Sequence, residues 1–341
     1  MTHFVSIIIP VRNELNYIDF TMNSLLNQDY PRDFMEIIVA DGMSDDGTRE
    51  KLEVYVDKFH SLKLVDNKPK IVSAALNNCI AIAKGDVIIR MDAHSVYPTN
   101  YISVLVENLY ALDADNVGVK LETIPFSSSP KSLAIAKALS HPLGVGNSWF
   151  RIGIESVKQV DTVPFGCFRR EVFNQIGGFD LELIRNQDDE LNARMIKNGM
   201  KIFLIPDISV KYYARESISI LWKMYYQYGY FKPLVNLKIK KISSLRQLAP
   251  LALVSYLILG VLVSLLYPIA LSPFLLFLLP YLLIIVGISF WNFKALGSFT
   301  ACFWLMISFS CMHISYGLGY LVGFLSILTK QGRGEKFSLS R

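Results

Sequence analysis

Gly85-Asp86-Val87-Ile88-Ile89-Arg90-Met91-Asp92-Ala93-His94-Ser95 is the stretch on which the reading of this chain turns. A short apolar run, Val87 to Met91, ends abruptly in Asp92-Ala93-His94. That is the pattern of a buried strand with polar chemistry at its carboxyl end. In open α/β sheets, ligands bind at the carboxyl ends of strands. Residues i and i+2 of an extended backbone project to one side, so Asp92 and His94 can reach one point together. A carboxylate oxygen and an imidazole nitrogen suit a divalent ion that would in turn hold phosphate oxygens. Alone, Asp-x-His describes a strand-end turn with an exposed histidine better than a metal site. The rest of the chain reverses that preference.

Upstream, residues 4–11 are a dense apolar run, a first buried strand. Arg12-Asn13-Glu14 follows, then a helical pattern at Leu15, Ile18, Met22, Leu25 and Leu26. Residues 35–40 predict a second strand, ending in the polar loop from Asp41 to Thr48. Leu52, Val56 and Phe59 mark a second helix, residues 62–65 a third strand and residues 71–83 a third helix. Strands that alternate with helices in this way make βαβ units and a parallel sheet. No Gly-x-Gly-x-x-Gly or Walker A sequence follows the first strand, which disfavours dinucleotide and P-loop readings.

Downstream, residues 101–112 and 133–139 predict helices and residues 117–122 a strand. A short helix at 171–176 is closed by Gly177-Gly178-Phe179-Asp180. Gln187-Asp188-Asp189-Glu190-Leu191 opens another helix, which runs through Ile196. Acids in a first turn stabilise the helix dipole, but three in succession repel one another and point to a cationic partner. Residues 202–206 and 209–213 read as two short strands.

The 341 residues are 52% apolar, with a mean hydropathy of +0.35. The excess is concentrated between Leu248 and Leu328, where Lys294 is the only charged residue. That region reads as three membrane helices, at about 249–267, 273–290 and 298–328. The domains are then 1–232, a basic juxtamembrane segment at 233–247, the membrane region at 248–329 and a polar tail at 330–341. The net charge is +5, and Lys232, Lys238, Lys240, Lys241 and Arg246 cluster before the apolar region. Beside a membrane segment, such a cluster reads as an anchor facing anionic lipid in the cytoplasm rather than as a nucleic-acid surface. Three crossings would leave Lys330, Arg333, Lys336 and Arg341 outside, which suggests a re-entrant or folded-back segment. The N-terminus lacks the features of a signal peptide. Cys79, Cys167, Cys302 and Cys311 have neither metal nor disulfide spacing.

Together these residues resemble family 2 glycosyltransferases. The match runs from Val5-Ser6-Ile7-Ile8-Ile9-Pro10 and Asp41-Gly42-Met43-Ser44 through Asp92-Ala93-His94, where His replaces the second Asp of an Asp-x-Asp element. It continues through Gly177-Gly178-Phe179-Asp180 to Gln187-Asp188-Asp189-Glu190-Leu191, where Gln replaces a Glu. The subgroup it resembles is that of the membrane-bound, succinoglycan-type exopolysaccharide glucosyltransferases. The resemblance implies an α/β GT-A fold with a mixed, mostly parallel sheet, followed by transmembrane helices. It implies an inverting transfer from a nucleotide sugar, with UDP expected, to a lipid-linked sugar in a cell or inner membrane, the catalytic domain being cytoplasmic. Pro10, Arg12, Glu14, Asp41, Ser44, Lys70 and Asp92 would bind the donor, and Asp92 and His94 would hold Mn²⁺ or Mg²⁺. Asp188 would be the base with Asp189 its rival, and Phe165, Gly166, Gly178 and Phe179 would line the acceptor side.

Three rivals stand beside this reading. A polyprenyl-phosphate sugar synthase would use a lipid phosphate as nucleophile and need no strong base. A processive polymer synthase would carry Gln-x-x-Arg-Trp, which is absent. A membrane transporter or sugar-binding module would need polar residues within the spans, where His313, Asn292 and Lys294 are the candidates.

Overall fold

The computed structural model describes residues 2–215, 217–242 and 245–329. The polar tail expected at 330–341 lies outside them. The chain divides into two compact units: residues up to Glu122 with Ser148–Tyr213, and Thr123–Asn147 with the chain from Ala214 onward.

The first unit opens with the alternation that the sequence predicts. β1 (Val5–Val11), α1 (Ile18–Leu26), β2 (Met35–Asp41), α2 (Thr48–Lys58), β3 (Leu62–Asp66), α3 (Val72–Ile82) and β4 (Val87–Arg90) follow one another. β5 (Ser95–Val96), α4 (Tyr101–Ala111) and β6 (Asn116–Ile124) come next. After α5 (Pro130–Ala138) and α6 (Pro142–Val145), which belong to the second unit, the chain returns through α7 (Trp149–Ile152), β7 (Lys158–Gln159) and β8 (Cys167–Arg169). α8 (Arg170–Ile176), α9 (Gln187–Lys197) and β9 (Ile202–Tyr213) complete it. Among the described residues nine strands make one sheet, in the order β3-β2-β1-β4-β8-β6-β9-β5, with β7 on β9. β3, β2, β1 and β4 are mutually parallel, whereas β8 runs antiparallel to β4 and β6.

The parallel half is buried on both faces, so its strands are continuously apolar rather than alternating. Ile7 and Ile9 of β1 join one core, and Ile8, with Ile38 and Ile88, joins another. One edge of these strands is tied by a buried polar network. Ser6 Oγ donates to Glu36 at 2.7 Å and accepts the Gly85 N–H at 2.8 Å. The Lys84 N–H and Lys63 Nζ also donate to Glu36, each at 2.6 Å. A Cβ on Gly85 would lie 2.5 Å from Ser6 N, so the glycine that opens the deciding stretch serves this close approach.

The two strands read at 202–206 and 209–213 are one, β9, twelve residues long. Pro206 and Asp207 lie within it. They fall between the part that pairs with β7, at Phe203 and Leu204, and the part that pairs with β5, at Lys211 and Tyr212. A proline is tolerated where a strand changes partners.

The second unit holds α5, α6, α10 (Ile218–Ile239), α11 (Ala249–Leu266), α12 (Leu271–Trp291), α13 (Phe293–Leu296) and α14 (Phe299–Leu328). Three stretches are long and apolar enough to cross a membrane: Leu245–Leu266, Pro268–Trp291 and Phe299–Leu328. α10 is an element the sequence reading did not contain, and it runs across residues 232 and 233 with Pro233 inside it. Its sequence is rich in tyrosine and mixes lysines among apolar residues, so neither a membrane run nor a clean stripe marks it. Glycines let it lie against α14 at backbone distance. A Cβ on Gly229 would meet Tyr316 O at 2.0 Å, and one on Gly319 or Gly323 would meet Tyr226 O or Tyr230 O at 2.1 Å. The small-residue contact expected of the Tyr316–Gly323 region therefore has α10 as a partner. His313 Nε2 lies 2.8 Å from Leu143 O and Nδ1 3.1 Å from the Tyr281 hydroxyl. A carbonyl only accepts, so Nε2 carries the proton and Nδ1 accepts from Tyr281. Asn292 Nδ2 donates to Ile288 O at 2.9 Å. These two candidates for a transport path are hydrogen-bonded within the helical unit.

Candidate active site

β1, β2 and β4 are parallel neighbours, so Val11, Asp41 and Arg90 end at one edge of the sheet. Two polar clusters form there. At the end of β2 the Asp41 side chain is fully buried. It accepts Ser44 Oγ–H at 2.5 Å, the Ser44 N–H at 3.2 Å and Arg49 Nη1 at 3.2 Å. Arg49 Nη1 also reaches Asp66, which ends β3, at 2.8 Å. Ser44 Oγ in turn accepts the Asn13 N–H at 2.9 Å, which locks the loop after β1 onto the loop after β2. Pro10 lies half-buried in β1, and the stem of Arg12 packs on Gly42, where a Cβ would come within 3.0 Å of Arg12 Cβ. Lys70 is exposed and takes a left-handed φ of 62°, its N–H donating to Asn67 O at 3.0 Å.

The second cluster lies at the end of β4. Arg90 is 4% exposed. Its Nη1 donates to Asp188 Oδ1, its Nη2 lies 3.4 Å from Asp92 Oδ1, and its Cζ stands 5.5 Å from the centre of the Phe165 ring. Phe165 has a φ of 51°, a costly conformation for an aromatic residue. The next residue, Gly166, accepts the Arg90 N–H at 3.0 Å. The Asp92 N–H donates to the Tyr97 hydroxyl at 2.6 Å, and Thr21 Oγ1 donates to Ala93 O at 2.8 Å. His94 Nδ1 lies 3.6 Å from Glu14 Oε1. Burial alone would lower the His94 pKa, but Glu14 and Asp92 outweigh it and raise it.

Asp188 and Asp189 open α9 and diverge, as successive helical residues must. Asp188 turns to Arg90, whereas Asp189 accepts from Thr162 Oγ1 at 3.4 Å. Burial pushes the Asp188 carboxyl above its ordinary value; Arg90 pulls it down, and Asp92 and Asp189 push it up again. Glu190 takes a structural part. It accepts two bonds from Arg194, each 2.7 Å, and Arg194 also donates to Ile176 O and Gly178 O. Gly178 and Phe179 are held from the other side by Asn77, which exchanges two 2.8 Å bonds with the Phe179 backbone. A Cβ on Gly178 would lie 2.3 Å from Asn77 Oδ1, so a larger residue would displace the Asn77 amide from the Phe179 backbone.

The structure thus brings Asp92 and Asp188 to one guanidinium, and His94 to Glu14. Asp41 and Ser44 form a separate knot at the end of β2. Arg90, Arg49 and Asp66 are members that the sequence reading missed. Arg90 and Asp66 are charged residues at the ends of apolar runs, the same signal that exposed Asp92, whereas Arg49 follows a polar loop in the first turn of α2 and carries no such signal.

A parallel half-sheet joined to an antiparallel extension, with carboxylates at its strand ends, is the GT-A form of nucleotide-sugar enzyme. The chain belongs to glycosyltransferase family 2, whose family model, "Glycosyl transferase family 2", matches residues 6–177. It is 34% identical to succinoglycan biosynthesis protein ExoA of Rhizobium meliloti over 72% of this chain and 74% of that protein. It is 32% identical to dolichyl N-acetyl-alpha-D-glucosaminyl phosphate 3-beta-D-2,3-diacetamido-2,3-dideoxy-beta-D-glucuronosyltransferase of Methanococcus voltae, over 68% of this chain and 74% of that one. The fold is similar to that of mannosyltransferase PcManGT from Pyrobaculum calidifontis, solved with GDP-Man and Mn²⁺, at 18% identity and a TM-score of 0.61 over 94% of this chain and 88% of that one. It is also similar to S. aureus TarS 1-349 in complex with UDP-GlcNAc, at 19% identity and a TM-score of 0.52 over 74% and 71%. The protein is a nucleotide-sugar-dependent glycosyltransferase related to enzymes of exopolysaccharide and glycan biosynthesis.

Among the described residues no group of three or more His, Cys, Asp and Glu side chains could hold a metal ion by itself. β4 ends at Arg90, so Asp92 and His94 lie in the turn between β4 and β5 rather than on the extended strand that the sequence suggests, and from there supply one oxygen and one nitrogen donor. A set this small fits a divalent ion that takes its remaining ligands from substrate phosphates.

Proposed function

We propose that the protein transfers a sugar, with inversion, from a UDP-sugar to a hydroxyl of a lipid-linked sugar at the cytoplasmic face of a membrane. The observation that carries the reading is Asp188. It is a carboxylate at the start of α9, ion-paired to Arg90 beside Asp92, yet with 27% of its side chain still open. A sugar hydroxyl needs a base in the transition state, and this group can serve. The acceptor O–H gives its proton to Asp188 as its oxygen forms the new bond to the anomeric carbon. The bond from that carbon to the diphosphate breaks on the opposite face, and the nucleoside diphosphate leaves with the electron pair. Asp92 and His94 would hold Mn²⁺ or Mg²⁺ on the diphosphate, where such an ion neutralises charge on the leaving group. Asp41 and Ser44, with Pro10, Arg12, Glu14 and Lys70, form the nucleoside side of the site. Phe165, Gly166, Gly178 and Phe179 form the acceptor side. Asp189, tied to Thr162, is the weaker candidate for the base.

The name of the Methanococcus relative describes transfer to a dolichyl-phosphate-linked sugar, which supports a sugar hydroxyl rather than a bare lipid phosphate as acceptor. Lys232 and Lys238 in α10, and Arg246 at the start of the first candidate span, support a cytoplasmic location for the catalytic unit. The test is a panel of radiolabelled nucleotide sugars given to the purified full-length protein in vesicles that carry lipid-linked sugars. We expect one UDP-sugar to label the lipid fraction. Labelling only of vesicles that carry a bare polyprenyl phosphate would favour the lipid-phosphate synthase instead.

A further inference from the structure

We propose that Arg90 is the positioning residue for the reaction: it holds Asp188 in place for proton abstraction with a guanidinium shared with Asp92. The inference rests on Asp188 being the base, as proposed above.

A buried guanidinium is tolerated only when it is paired and hydrogen-bonded. Arg90 is the last residue of β4, a strand held on both sides by β1 and β8. Its backbone is fixed by Gly166 O and its side chain faces the Phe165 ring, in a backbone geometry that aromatic residues seldom adopt. Its placement is therefore set by the central sheet, the rigid support that a preorganised site needs. Asp188, 98 residues away in sequence, sits in the first turn of a helix entered through Asn186 at a φ of 62°. The helix itself is anchored by Leu191 and Met195 against the sheet and by Asn192 on Asn116 of β6, and Arg90 ties the Asp188 carboxylate to the end of β4. The ion pair uses Oδ1 of Asp188 and leaves part of the carboxylate open to an acceptor. The same guanidinium balances Asp92 across 3.4 Å, so two carboxylates stand together around one cation. A lysine could neutralise one carboxylate but lacks the planar fork that reaches both.

The test is a double-mutant cycle in full-length protein, using the UDP-sugar that supports transfer. The variants are Arg90→Gln, Arg90→Lys, Asp188→Asn and Arg90→Gln/Asp188→Asn. Turnover is measured beside calorimetric binding of UDP with Mn²⁺. Asp188→Asn is expected to lose on the order of 10²-fold in kcat. Arg90→Gln should lose a similar factor with UDP affinity within about 2-fold, and Arg90→Lys should recover about 10-fold of it. The double variant should be no worse than Asp188→Asn within about 3-fold, because residues that act as a unit are non-additive. It removes both charges together, so it remains informative where Arg90→Gln alone, with two unbalanced carboxylates, fails to fold. Multiplicative losses in the double variant would overturn the proposal, as would a loss confined to UDP binding. Near-wild-type turnover in Arg90→Gln with an inactive Asp188→Asn would overturn the positioning role alone. Near-wild-type turnover in Asp188→Asn would remove the base assignment and the positioning role with it.

Discussion

At the end of β4 three side chains converge, Asp92, Asp188 and the Arg90 between them, and their charges explain one another. Asp188 is legible in sequence because three successive acids point to a cationic partner, and Asp92 because it ends an apolar run abruptly. Arg90 carries the same signal, but it lies inside Val87 to Met91 and reads as part of an apolar run. Its importance shows only once a helix far along the chain supplies its partner. Two outcomes follow at this scale. Asp92→Ala should abolish transfer and His94→Ala should reduce it severely, whereas His94→Asp should retain more and shift the preference toward Mg²⁺. Transfer assays over a titration of each ion, with a chelator control, check this; full activity of either alanine variant in chelator would remove the metal role. The second outcome concerns pH. A base works only when ionised, and the Asp188 pKa is raised, so kcat/KM should fall as pH drops through a value above the ordinary carboxylate pKa of about 3.9. That limb should vanish from the residual activity of Asp188→Asn.

Among the elements, β1 to β4 and their helices are legible because two-sided burial writes continuous apolar runs separated by polar loops. α10 is not, since its buried Leu221, Met224, Tyr225, Phe231, Leu234 and Val235 share the helix with exposed Trp222 and Leu237, and its glycine contact with α14 leaves no mark in the apolar pattern. Gly229→Val or Gly319→Val should push these helices apart, because the new Cβ would fall about 2 Å from a partner carbonyl. Overpacking costs roughly 1–3 kcal/mol, and a lower melting temperature in detergent would report it. The Glu36 network gives a second readout. Burial raises the Glu36 pKa, but Lys63, Ser6 and the Lys84 N–H lower it further, and the net shift is downward. Its contribution is therefore present above the unfolded value of about 4.3 and is lost as pH falls toward the folded value. Glu36→Gln should lower stability at pH 7 by roughly 1.5–3 kcal/mol, the range for hydrogen bonds to a charged group. The gap to the parent should narrow progressively as pH falls below the unfolded value, as melts over a pH series would show.

Over the whole molecule, the stretch from Leu248 to Leu328, charged at Lys294 alone, announces the apolar helices, because missing charge is a signal that survives without structure. What does not survive is the contact between distant pieces: α5 packs on α14, although more than 150 residues separate them in sequence. Truncation after Lys241 would leave α5 and α10 without α14 and expose Ile135, Leu139, Leu221 and Met224, which are buried in the complete helical unit. Such a chain should aggregate without detergent, which gel filtration would report. The central claim is that this glycosyltransferase uses a carboxylate base on a sugar hydroxyl. The most direct test is turnover of Asp188→Asn on a lipid-linked sugar, with donor affinity measured in the same preparation and Asp189→Asn alongside. The prediction is a fall on the order of 10²-fold or more in rate, with donor affinity nearly unchanged and a smaller loss for Asp189→Asn. A near-wild-type rate for Asp188→Asn would contradict it and point to a nucleophile, such as a lipid phosphate, that is already ionised at neutral pH.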